Sequence, residues 1–247
     1  MNEECLLSVE EFGLALLLVG ETAMVQAWLQ AHGIEWNESV MRERFSAAAH
    51  SLITRDLACL DSNRSLILDD SLRQMLREAA HPLYSLSFAC VTESEEERWV
   101  FHVGQDGVVS QKVKRGGGYR LERMPFSLET LHSQAVTFFR ISPAFAVHET
   151  RELSIEEFEN PQADSGLSSS LYKLIEDRHH ERFRGSLIRI DYHETGPASD
   201  FGCLVLGSEE RTWLFRLLPT ERKIRVCSSS PEGLKEELLL LIERRYR

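Results

Sequence analysis

Apolar residues in the first third of the chain recur at helical spacing, and from Leu83 onward they alternate with polar ones. Ser8 and Glu11 have the spacing of a capping box ahead of Phe12, Leu14, Leu16, Leu17 and Leu18. A second helix is predicted from about Glu21 to Ala31, with Trp28 and Leu29 inward. His32-Gly33 stops it, because glycine accepts the left-handed conformation that follows a helix. A third helix is predicted from Glu38 to Leu57, with Val40, Phe45, Ala48, Ala49, Leu52 and Ile53 on its buried stripe. Asp61-Ser62-Asn63 reads as a turn and Leu66-Ile67-Leu68 as a short strand. Asp69 or Asp70 then caps a helix ending near Ala80.

The period then changes to two. Leu86, Phe88 and Cys90 mark a strand with one buried face. Further strands are expected at Arg98 to Val103, Val108 to Val113 and Tyr119 to Met124. Their turns fall at Gln105-Asp106-Gly107 and Gly116-Gly117-Gly118, and Ser127 caps a helix running to about Phe139. Residues 142–167 hold Pro143, Pro161 and Gly166 and read as a partly ordered linker, with a short helix near Ser154 to Phe158.

The pattern restarts after this linker. A helix is predicted from Ser168 to His180, and strands at Ser186 to Glu194, Phe201 to Leu206, Thr212 to Leu218 and Glu221 to Cys227. Ser230-Pro231 opens a final helix toward Tyr246. Val103, Leu121, Ser127 and Leu131 match Leu206, Ile224, Ser230 and Leu234 at one offset of 103 residues. The expected fold is α+β: two pseudo-symmetric antiparallel meander halves with flanking helices, behind a helical, winged-helix-like N-terminal segment. The expected divisions are 1–141 for the N-terminal helices with the first meander and its helix, 142–167 for the linker, and 168–247 for the second half.

Charge narrows the function classes. A net charge of −11 and a pI near 5.4 disfavour nonspecific binding to nucleic acid or anionic membrane. The acidic start MNEEC lacks the basic region of a signal peptide, and no apolar run approaches the ~20 residues that span a bilayer. A cytoplasmic location without membrane insertion is expected. The five cysteines, Cys5, Cys59, Cys90, Cys203 and Cys227, form no CxxC pair and read as reduced thiols.

No phosphate-binding glycine loop, HExxH or GxSxG occurs. His179-His180, beside Arg178 and Arg182, point about 100° apart on a helix and read as a solvated helix end. His102 lies between Phe101 and Val103 and reads as structural, and His32 precedes a C-cap glycine. Glu93 to Glu97 and Glu209-Glu210 are acidic hairpin connections, and Arg244, Arg245 and Arg247 complement a helix dipole. The reading assigns no catalytic, cofactor-binding or metal residue, needs no cofactor, and leaves the partner-binding residues open. It predicts a binding protein and no enzyme.

Two family patterns fit. Three helices followed by Arg55-Asp56-Leu57, Leu66-Ile67-Leu68 and a further helix resemble a winged-helix unit. Its third helix would carry Arg42, Arg44 and Arg55, but also Glu38, Glu43 and Asp56. That alternative would make the chain a transcriptional regulator with a ligand-sensing or dimerising β domain. The whole chain is more similar in pattern to the EspG-type chaperones of type VII secretion. The similarity rests on the segments SLITRDLACLDSNRSLILDDSLRQMLREAAHP, LYSLSFACV…RWVFHVGQDGVVSQKV and TWLFRLLP…KIRVCSSSPEGLKEELLLLI. It implies an α+β fold with a pseudo-twofold, no catalytic site, and a cytosolic protein that binds secreted helical hairpins and exposes an apolar patch.

Overall fold

A computed structural model describes residues 3–92, 94–105, 107–113, 117–142, 150–159, 183–193, 196–207, 211–218 and 221–243. The chain is α+β with an antiparallel sheet. Several expected features lie outside the described residues: the 168–180 helix with His179 and His180, Arg182, Glu93, Asp106, Gly116, Pro143, Pro161, Gly166, Glu194, the Ser208-Glu209-Glu210 turn, and Arg244 to Arg247.

Contacts divide the chain into two units. The first holds Met1–Ser85 and Trp99–Pro125, the second Leu86–Arg98 and Phe126–Arg247.

The first unit opens with strand β1 (Glu3–Leu7), which the sequence pattern did not announce. Helix α1 (Val9–Val19) follows with its capping box in place. Ser8 Oγ accepts from Glu11 N at 3.1 Å, and Glu11 Oε2 accepts from Ser8 N at 2.7 Å. Helix α2 (Thr22–Ala31) ends at His32, and Gly33 takes the predicted positive φ, +59°. Helix α3 (Glu38–Thr54) buries Met41, Ala48 and Leu52. Val40, expected inward, is 46% exposed, because the turn of α3 that faces the core is led by Met41.

Strands β2 (Ala58–Leu60) and β3 (Leu66–Leu68) pair as a separate two-stranded ribbon around the Asp61 turn. β2 went unpredicted; its pairing with β3 is what makes it a strand. Asp69 is the cap of α4 (Asp70–Ala80), accepting from Ser71 N and Leu72 N. Strand β4 (Tyr84–Val91) and strand β5 (Glu96–Val103) are each cut by the boundary between units, after Ser85 and after Arg98. Strands β6 (Val108–Val113) and β7 (Tyr119–Met124) have the predicted limits. The strand order in this unit is β1-β7-β6-β5. One core joins α1 to α4 to the sheet through Phe12, Leu16, Trp28, Leu52, Leu76 and Leu121.

The second unit contains α5 (Leu128–Phe138), β8 (Thr150–Ser154), α6 (Ile155–Glu159), β9 (Phe183–His193), β10 (Gly196–Gly207), β11 (Thr212–Leu218), β12 (Lys223–Ser228) and α7 (Pro231–Glu243). Its strand order is β4-β9-β10-β11-β12-β8. Strand β8 falls in the segment read as a linker. Its one buried side chain is Leu153, so a lone apolar position gave no periodic signal, and the pairing to β12 makes it a strand. The starts of β6, β7 and α5 (108, 119, 128) and of β11, β12 and α7 (212, 223, 231) keep a spacing within one residue of 103.

Two buried ion pairs mark the α7 side of the second unit. Arg216 Nη1 lies 3.2 Å from Glu237 Oε2, and Arg189 Nε lies 2.9 Å from Asp191 Oδ1. Arg189 Nη1 also donates to the carbonyls of Leu241 and Ile242 in the last described turn of α7. Buried charges survive only when paired and hydrogen-bonded, and these are.

Candidate functional site

A groove with a defined lining belongs to the first unit. It encloses about 760 Å³ between β1, the start of α1 and one face of α3. Leu6, Leu7, Ser8, Glu10 and Glu11 form one wall, with Tyr119 of β7. Arg44, Ala47, Ala48, Ser51 and Arg55 form the other. The α3 residues recur at i, i+3, i+4, i+7 and i+11, which is one helix face. Three of them are small, so the groove is the space that larger side chains would fill. Val40 lies on the same stripe one turn before Arg44, and Leu6 on the opposite wall is also exposed.

The polar groups of the groove are not equivalent. Arg55 Nη1 lies 3.0 Å from both carboxylate oxygens of Glu11, and its Nη2 donates to the Leu6 carbonyl. The second arginine, Arg44, reaches Glu10 at 3.7 Å through Nη1, with both side chains part-exposed. Tyr119 shares a 2.6 Å hydrogen bond with His32 Nε2 and stacks on Phe12. Burial raises the Tyr119 phenol above its ordinary pKa, so it stays protonated at neutral pH. Cys5 on β1 is likewise pushed up to about 11, first by burial, and is a poor nucleophile there.

Other sequence candidates fall elsewhere. His102 is buried in β5. Its Nε2 lies 3.1 Å from Gln111 Oε1, an acceptor, so Nε2 carries the proton and Nδ1 accepts from the Ser85 hydroxyl at 3.0 Å. Burial lowers its pKa from 6.5 to about 4, which fixes a neutral, structural ring. Cys90 and Cys203 are buried and Cys227 is half-buried, while Cys59 stands exposed on β2. No group of three or more metal-binding side chains occurs among the described residues. Glu95 sits in the β4–β5 turn, where Thr92 N donates to its carbonyl at 2.8 Å, and Glu96 and Glu97 open β5.

The arginines of the third helix each face a carboxylate. Arg42 pairs with Glu38 at 3.1 Å, Arg44 with Glu10, and Arg55 with Glu11. That pairing reduces what a DNA backbone would find there. Exposed apolar side chains are plentiful. Trp36, Leu60, Ile67 and Leu83 lie in the first unit, and Val91, Phe126, Tyr192 and Leu217 in the second. No described helix is long and apolar enough to cross a membrane.

No protein-family model matches the chain, and no curated protein matches it by sequence. Its fold is similar to that of a solved structure, the Mycobacterium tuberculosis type VII secretion system chaperone EspG5 in complex with a PE25-PPE41 dimer. The TM-score is 0.67 at 9% sequence identity, covering 98% of this chain and 96% of that one. At that identity the likeness is one of fold.

Proposed function

We propose that this chain is a non-enzymatic binding protein of the secretion-chaperone kind, holding a helical protein partner in the cytosol. The observation that carries this reading is the near-complete, end-to-end likeness to a chaperone whose structure contains a bound PE25-PPE41 dimer. Exposed large apolar side chains occur in each unit, Trp36, Leu60 and Leu83 in the first and Leu217 in the second. Apolar groups that folding leaves exposed are available to cover a partner's own apolar surface. The reading asks for no chemistry, only for desolvated contact.

The test is affinity capture of the tagged chain from its native cells, with the captured protein identified, remade and mixed with the pure chain. A stoichiometric complex with a protein of predominantly helical circular dichroism is expected. Failure of any remade candidate to form a complex would overturn the reading. The winged-helix alternative makes a separate demand: a mobility shift on duplex DNA that Arg42→Ala and Arg44→Ala abolish.

A further inference from the structure

The groove along α3 offers side chains to a partner and no free strand edge. β1 pairs only with β7 in the strand order, so its outer edge would ordinarily invite an added strand. Arg55 blocks that use. Its guanidinium donates to the Leu6 carbonyl, an acceptor for which the N–H of a further strand would have to compete, and Glu11 anchors it there. An occupant must therefore satisfy its own main chain, and a helix does so.

The opposite wall fits a helix in shape. Val40, Arg44, Ala47 and Ser51 run along one face, and from Val40 to Arg55 that face is ~22 Å long at about 1.5 Å per residue. The small side chains of Ala47, Ala48 and Ser51 leave room for the knobs of a second helix, while Leu6 and Val40 supply exposed apolar contact at its margins. The charge is also specific. The groove is lined by two arginines and two glutamates, Arg55 with the buried Glu11 and Arg44 with Glu10 at its open side. Arg55 is held by Glu11 through Nη1 and by the Leu6 carbonyl through Nη2. Arg44 makes one ion pair among the described residues, at 3.7 Å, and leaves most of its five N–H donors unused.

We propose that the groove between β1 and α3 seats an amphipathic helix of the partner, with an apolar stripe toward Ala47 and Ser51 and a carboxylate at its edge toward Arg44. This assigns a surface to the reading in the preceding subsection and rests on it.

The probe is a fluorescein-labelled model helix of about 18 residues, five turns at 3.6 residues each. It carries leucines at i, i+3, i+4 and i+7 spacing and one flanking glutamate; a second version carries lysine in place of that glutamate. Binding to the full chain is read by fluorescence anisotropy. The glutamate helix is expected to bind at least tenfold more tightly than the lysine helix, and Arg44→Glu reverses the preference. Ala47→Trp, which fills the groove from an exposed position, abolishes binding of both. Ser51→Trp serves if Ala47→Trp melts early by circular dichroism. Equal binding of the two helices, or binding that survives both tryptophans, would overturn the proposal. The remade native partner separates the two levels. If it still binds Ala47→Trp at wild-type affinity, the groove is the wrong surface while the chaperone reading stands. If no native partner exists, the reading itself fails.

Discussion

Arg55 Nη1 lies 3.0 Å from each carboxylate oxygen of Glu11, a residue 3% exposed. Glu11 is also the third helical residue of α1 and accepts from Ser8 N. One carboxylate thus caps a helix, holds a side chain from the end of α3, and through it ties down the Leu6 carbonyl of β1.

Removing the arginine leaves that carboxylate buried with the cap alone. Arg55→Ala is expected to cost about 2 kcal/mol, since a buried charge stripped of its partner is penalised beyond the loss of one contact. Glu11→Gln in the same background recovers part of the loss. Urea midpoints of the two singles and the double check this. Additive losses would contradict it.

His102 makes stability depend on pH. Its folded pKa is near 4 against an ordinary 6.5, so the unfolded chain takes the proton first. The neutral ring's contribution is therefore complete above about pH 6.5 and is lost as pH falls toward 4, reaching about 3 kcal/mol below that. His102→Gln keeps a polar group beside Ser85 and Gln111 and removes the titration. The difference between wild type and variant, measured by urea unfolding at about pH 7 and about pH 4.5, is expected to shrink at the lower pH. A constant difference would contradict the assignment.

The pair of Arg216 and Glu237 faces the same logic in the second unit, with both side chains 7% exposed. Glu237→Ala is expected to cost about 3 kcal/mol. Arg216→Met with Glu237→Leu should cost less than that single change, because no buried charge remains. Thermal melts of the two variants beside wild type decide it.

Gly185 on β9 has no room for a methyl group. An added Cβ would stand 2.6 Å from the Ala89 carbonyl oxygen and 3.0 Å from Phe139 Cε1. The carbonyl belongs to backbone and cannot swing aside, so Gly185→Ala is expected to destabilise by about 1–3 kcal/mol. A melt unchanged from wild type would show that β9 shifts freely.

The elements with strong local signals were legible in the sequence. Ser8 and Glu11 marked α1, the pair Asp69-Asp70 marked the start of α4, and the alternation through Leu86, Phe88 and Cys90 marked β4. Ser127 and Ser230 marked the starts of α5 and α7, the latter accepting from Gly233 N at 3.1 Å. What stayed hidden depends on distant partners. β1 and β8 are five-residue edge strands defined by pairing to β7 and β12. Val40 and Met41 are neighbours of similar hydropathy, and only packing decides which is buried. The groove was invisible for the same reason, since Leu6 and Ala47 meet across it only after β1 is placed. Its one local trace was the run of small residues Ser46, Ala47, Ala48 and Ala49.

The central claim is that this fold serves to hold a helical partner. The most direct test is the solubility of the captured partner, expressed alone and together with this chain, read as the soluble fraction after centrifugation and by light scattering of the complex. The partner alone is expected to aggregate or be lost, and with the chain to stay soluble in a complex of fixed stoichiometry. A partner equally soluble in both conditions, with no shared peak, would contradict it.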